Sequence, residues 1–233
     1  MKLTNPFRTL TRFELTLWAV SAAVVTVSFL LGGERDFLTL TASLIGVTAL
    51  IFVAKGYVLG QALTVVFSLV YALVSLKFRY YGEMITYLGM TAPIALMSVI
   101  SWLKHPYSKG KPEVKAARMT AAKTAAMLVL AAAVTFAFYF ILGYFGTPNL
   151  AVSTFSVATS FIASFLMLYR IPAYALAYAA NDVVLIVLWV LASMEDTSYI
   201  PMVMCFLMFL CNDIYGFYSW IKMRRRQESR SRT

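Results

Sequence analysis

Two polar pairs, Asn181-Asp182 and Asn212-Asp213, lie within long apolar stretches of the chain. A carboxylate near the centre of a bilayer costs roughly 2.5 kcal/mol or more, so it normally lines a cavity, a pathway or a partner. Counted from the basic turns near residues 172 and 222, Asp182 and Asn212 are each about ten residues into their helices, or about 15 Å at the helical rise. Tyr174, Tyr178, Asn181, Asp182, Leu185 and Trp189 follow one helical face, and Asn212, Tyr215, Gly216 and Ser219 another. Phe67 and Tyr71, with Gln61, Thr64 and Ser68, form a comparable face without charge. Rings stack, carboxylates balance positive charge, and Asn or Gln reads amide and hydroxyl groups, so these residues suit a flat, cationic or polar heterocycle. The plainer role of such pairs is to fasten helices, at about 1 kcal/mol each.

The elements that must carry these side chains are membrane helices. Of the 233 residues 61% are hydrophobic and 13% charged, with a mean hydropathy of +0.77, more apolar surface than a soluble core can hide. Eight spans are expected, near residues 14–31, 37–54, 57–76, 84–103, 119–142, 150–169, 172–193 and 199–221, each close to the length that crosses about 30 Å of hydrocarbon. Chemistry of other kinds finds no support. The single histidine, His105, falls in a basic loop, Cys205 and Cys211 are too far apart on one helix for a disulfide, and no phosphate-cradling glycine loop occurs. No catalytic group, metal or cofactor is expected, and the chain does not read as an enzyme.

Seventeen of the twenty Lys and Arg residues fall on one side of this topology, and only Arg35, Lys77 and Arg79 on the other, where Glu195 and Asp196 also lie. Basic residues collect on the cytoplasmic side, so both termini are expected there. The net charge of +10 is thereby a topology signal that can also touch anionic lipid, not a nucleic-acid surface.

Sliding the chain on itself by 118 residues pairs VVFSLVYALVS (65–75) with VVLIVLWVLAS (183–193). The register also places Tyr81 on Tyr199, Met84 on Met202, and Ser101-Trp102 with Lys104 on Ser219-Trp220 with Lys222. An all-α integral membrane fold follows: an N-terminal helix, then three helices, a linking helix and three more, the two triplets being parallel repeats. The divisions are 1–36 (cytoplasmic segment and extra helix), 37–104 (first repeat), 105–149 (basic loop and linking helix), 150–222 (second repeat) and 223–233 (basic tail). Parallel repeats are related by an axis along the membrane normal and place the substrate at their interface near the midplane. Helix one lies outside the repeat and reads as an anchor or oligomer contact. Pro93, one turn after Gly89, should kink the fourth span, either as a hinge or by local packing. In the first repeat Leu63-Thr64 and Ile94-Ala95 stand where the Asn-Asp pairs stand in the second, so the scaffold itself does not demand carboxylates there.

The segments YAANDVVLIVLW and FLCNDIYGFYSW resemble the PnuC family of vitamin B3 transporters, and the similarity runs over about residues 37–222. The resemblance implies an architecture related to the SWEET sugar transporters, a homotrimer in the bacterial inner membrane, and facilitated diffusion of nicotinamide riboside, trapped by cytoplasmic phosphorylation. It points to Tyr178, Asn181 and Asp182 in the penultimate helix and Asn212 and Tyr215 in the last, beside Asp213, Trp189, Phe67, Tyr71, Gln61 and Thr64 from the faces above. One departure stands out: the family's two tryptophans before the aspartate are here Tyr178 and Ala175. The alternative is a proton-coupled or uniport carrier of another B vitamin or nucleoside, such as thiamine or riboflavin.

Overall fold

The computed structural model describes residues 5–31, 37–77, 80–108 and 110–230. Lys2, Arg35, Arg79, Lys109 and Arg232, counted in the charge topology, lie outside the described residues.

Among the described residues eight helices are long and apolar enough to cross a membrane, and there are two isolated β-bridges but no strand. In chain order they are α1 (Arg12–Leu31), α2 (Phe37–Ala54), α3 (Val58–Lys77), the paired α4 (Tyr81–Thr86) and α5 (Ala92–Lys104), α6 (Ala121–Tyr144), α7 (Leu150–Leu168), α8 (Tyr174–Glu195) and α9 (Ile200–Arg230). Most of these helices are apolar all round, as segments facing lipid on one side and protein on the other must be. The last helix does not stop near residue 222 but runs on to Arg230, where Gln227 donates to the Val114 carbonyl and Arg226 pairs with Glu113.

Between α4 and α5 the helix widens into a π-turn over Tyr87–Thr91, with the Ala92 N–H bonded to the Tyr87 carbonyl. Proline cannot supply the N–H that the Gly89 carbonyl would accept in a regular α-helix, and the extra residue in the turn absorbs that loss. The irregularity expected at Pro93 is thus a local widening one turn earlier. A Cβ on Gly89 would meet nothing within 4 Å, so this glycine serves the turn and not a close helix contact.

α2 and α3 form a tight hairpin. Gly56 turns the chain at φ 68, and a Cβ on Gly60 would collide with the backbone of Phe52 and Val53. α2 also packs on α9, α3 on α5, and α5 on α7, while α7 and α8 form a hairpin that packs on α9. α6 touches mainly α7 and presents Leu128, Val129, Phe136 and Phe140 outward, the surface expected of a linking helix in lipid.

The basic end of the bundle is knitted by reciprocal bonds. Trp102 of α5 donates its indole N–H to the Met167 carbonyl at 3.1 Å, and Ser101 donates to Leu168 at 3.1 Å, both near the end of α7. Trp220 of α9 donates to the Val53 carbonyl at 2.8 Å, and Ser219 to Ala54 at 2.8 Å, both at the end of α2. The last carbonyls of a helix have no partner within it, and these side chains satisfy them. The loop after α5 lies over the same end: the Val114 N–H bonds to Gly56 O, and Ala117 N–H to Arg170 O.

α1 is more than an anchor. Glu14, 3% exposed, pairs at 2.9 Å with Lys55, just past the end of α2, and accepts a bond from the Tyr215 hydroxyl of α9, also at 2.9 Å. One turn deeper Trp18 donates to Thr48, and beyond it Ser21 accepts from Asn212. Spacing alone does not single out Glu14, because a carboxylate at the start of a span reads as an ordinary capping residue; it does cap the Thr11 N–H.

Candidate functional site

A narrow cavity lies among α2, α3, the π-turn, α7, α8 and α9, with about 60 Å3 in which the centre of a water molecule fits. Its polar wall is made by Asn181 and Asp182 of α8, Asp213 of α9, Thr64 of α3 and Thr91 of the π-turn. Phe67, Tyr87, Tyr178, Phe206 and Phe209 supply its rings, and Gly46 and Ala49 of α2 its floor. The small residues of α2 leave room for those rings: Phe209 already occupies the space that a Cβ on Gly46 would need.

Asp182 and Asp213 line this cavity from the neighbouring helices α8 and α9, and each is buried. One oxygen, Asp182 Oδ2, has no partner. Asn181 Oδ1 accepts from the Thr159 hydroxyl at 2.8 Å, and the Tyr178 and Ser164 hydroxyls share a bond of 2.8 Å, so α7 orients the α8 side chains from behind. Among the described residues no Lys, Arg or His lines the cavity.

Six of the eleven residues singled out in the sequence line this space: Thr64, Phe67, Tyr178, Asn181, Asp182 and Asp213. Asn212 does not. Its amide donates to Ser21 and to the Met208 carbonyl, facing α1, because neighbours on a helix point about 100° apart and Asp213 takes the inward direction. Tyr215 follows Asn212 around the helix and bonds to Glu14. Gln61 is wholly buried behind the wall, donating to the Met167 sulfur, with its own Oε1 unpartnered. Tyr71 packs behind Phe67 and Tyr87 at centroid distances of 5.4 and 4.3 Å. Trp189 is farther along α8, against Tyr80 and Tyr199.

Sequence reasoning missed Tyr87 and Thr91, although Gly89 and Pro93 bracket them; the signal was an irregular helix, and irregular backbone in a membrane is tolerated where it faces a cavity. It also missed Gly46, Ala49, Phe206 and Phe209, which carry no mark beyond apolar composition.

A family model described as nicotinamide mononucleotide transporter matches residues 36–222. The chain belongs to this family. Members of the nicotinamide mononucleotide transporter family are membrane transporters and not enzymes, and the eight spans agree with that. Among curated proteins the chain is 27% identical to a nicotinamide riboside transporter PnuC of Neisseria mucosa, over 93% of its own length and 83% of the relative's. It is 22% identical to the PnuC of Haemophilus influenzae, over 82% of each chain. A solved crystal structure of the vitamin B3 transporter PnuC superposes with a TM-score of 0.81, covering 94% of both chains at 24% identity, which establishes that this family member shares its fold.

Proposed function

We propose that this chain carries nicotinamide riboside across the membrane by facilitated diffusion, through the cavity walled by Asp182, Asp213, Asn181 and the surrounding rings. The observation that carries the reading is the charge of that wall. Two carboxyls and no basic side chain among the described lining residues suit the pyridinium cation of a riboside and oppose the phosphate of a mononucleotide. Both curated relatives are named as riboside transporters, although the family model is named for the mononucleotide.

In this reading residues 37–104 and 150–222 form two parallel repeats about the cavity near the bilayer midplane, in the manner of the SWEET carriers. The reciprocal Trp and Ser bonds support such a pairing. The protein would be a bacterial inner-membrane homotrimer with its basic end and both termini in the cytoplasm, as the distribution of Lys and Arg favours. Asn212 and Tyr215 would tie α9 to α1 and not touch substrate.

Radiolabelled nicotinamide riboside should enter proteoliposomes containing the purified protein in a saturable manner without an ion gradient, and nicotinamide mononucleotide should compete poorly. Uptake of thiamine or riboflavin in its place would overturn the substrate. A second reading is proton coupling, favoured by the two buried carboxyls of Asp182 and Asp213 on one cavity wall, since intramembrane carboxyls commonly relay protons. Loss of accumulation on collapsing a pH gradient selects it, and unchanged uptake removes it.

A further inference from the structure

At the basic end, the loop after α5 and the last turns of α9 enclose a second pocket, with about 410 Å3 in which the centre of a water molecule fits. Tyr107, Ser108, Lys111 and Lys115 line it from the loop, and Arg224 and Arg230 from α9. Its walls are tied together. Gln227, itself buried, donates to the Val114 carbonyl at 3.0 Å and accepts from the Ala116 N–H at 2.9 Å. The loop closes on itself through Tyr107 N–H to Glu113 O at 2.8 Å and Lys115 N–H to His105 O at 2.9 Å.

Four cations thus face one pocket, and the only carboxylate among the described lining residues is Glu228. The carboxylates of this end are engaged with other partners. Glu113 holds Arg226 and Gln227, and Glu228 Oε1 takes Arg118, which is not part of the lining, at 2.9 Å. Arg224 Nε is left 4.0 Å from that same oxygen, too far for a hydrogen bond, and has no other partner. Among the described residues the ammonium groups of Lys111 and Lys115 pair with no carboxylate. Membrane topology asks only that Lys and Arg lie on this side. It does not ask that four of them converge on a pocket whose walls are pinned by buried bonds.

An anion with several oxygens is the chemical complement of this lining. The guanidinium fork matches phosphate oxygens, the ammonium groups add charge, and the hydroxyls of Tyr107 and Ser108 can donate. Arg224 lies two residues past Lys222, about 3 Å along the axis, and Arg230 eight residues past it, about 12 Å. A headgroup layer is roughly 5–8 Å thick on each side of the hydrocarbon, so the pocket reaches from headgroup depth into solution.

We propose that this pocket is a binding site for a phosphate-bearing anion, neutralised by Arg224, Lys111 and Lys115. A phospholipid headgroup and a soluble phosphomonoester share that chemistry. The site is independent of the transported substrate. An anion held there bridges the loop, whose backbone bonds reach Gly56 after α2 and Arg170 after α7, to the helix that carries Asp213.

The test follows the melting temperature of the purified full chain in neutral detergent as probes are added: dihexanoyl phosphatidylglycerol, ribose 5-phosphate and, as the zwitterionic control, dihexanoyl phosphatidylcholine. A saturable rise with phosphatidylglycerol alone assigns the site to a lipid headgroup, and a saturable rise with ribose 5-phosphate assigns it to a soluble phosphomonoester. In either case Arg224→Gln, or Lys111→Gln with Lys115→Gln, should raise the half-saturating concentration about tenfold. Arg225→Gln removes the same charge from α9 outside the lining and should raise it less than about threefold. Among the described residues Arg224 makes no hydrogen bond, so without probe its variant should melt as the parent does. If it does not fold, the lysine pair decides by the same comparison. No saturable rise with either anion, an equal rise with phosphatidylcholine, or equal effects of the lining and Arg225→Gln substitutions overturns the site.

Discussion

Trp102 and Trp220 stand side by side at the basic end of the bundle, ring centroids 5.4 Å apart, each donating its indole N–H to a helix end that the other half of the chain supplies. Both are essentially excluded from solvent. They share one position in the 118-residue register, so a single sequence signal, Ser-Trp followed by a lysine, closes the end of the helix pairs on both sides.

Replacing either tryptophan with phenylalanine keeps a ring and removes one buried donor, leaving a carbonyl of Met167 or Val53 without that partner. Each substitution should cost about 1 kcal/mol. Because the rings touch, the double substitution should depart from additivity by about 0.5 kcal/mol or more. Thermal unfolding of the four proteins in one detergent measures the coupling, and strict additivity would deny that the two residues act together.

Asp182→Asn should weaken binding of nicotinamide riboside tenfold or more, about 1.4 kcal/mol, while leaving the melting temperature unchanged or raised. The reason is that a buried carboxyl with an unpartnered oxygen contributes little to holding the helices together. Calorimetric titration of the purified protein checks it. A lowered melting temperature with unchanged affinity would return Asp182 to the role of interhelical fastener.

Asn212→Ala and Tyr215→Phe should behave in the opposite way. Both remove bonds to α1, to Ser21 and Glu14, so each should lower stability by about 1 kcal/mol and change affinity less than threefold. A tenfold loss of affinity without destabilisation would place them in contact with substrate after all.

The Glu14–Lys55 pair has side-chain exposures of only 4% and 14%, so removing one partner strands the other. Lys55→Met alone should destabilise by about 3 kcal/mol, and the double variant Glu14→Gln, Lys55→Met should recover much of that loss. Melting curves read the difference, and equal damage from the single and double variants would refute the pairing as the cause.

Pro93→Ala restores the missing amide N–H and lets the Tyr87–Thr91 turn relax toward a regular α-helix. Tyr87 and Thr91 would then rotate relative to the cavity that they line. Uptake should fall several-fold; unchanged uptake would mean that the π-turn serves packing only.

The membrane class, the spans and, except for the far end of α9, their boundaries to within a few residues were legible in the chain, because hydrocarbon thickness and the need to satisfy every backbone group leave a helix few choices of length. The sequence also carries Tyr, Trp and Lys coincidences at a spacing of 118 residues, a pattern rare in apolar sequence. The polar pairs marked α8 and α9, two of the helices that line the cavity. What spacing could not decide was direction: Asp213 turns into the cavity while its neighbour Asn212 turns to α1, and only the packing of α1 and α8 on opposite sides of α9 sets which is which. Glu14 and Tyr87 escaped for the same reason, since each meets groups brought in by distant segments. A sequence determines which residues are expensive to bury in lipid; the tertiary structure decides what each one meets there, because that depends on the faces of helices joined across the bundle.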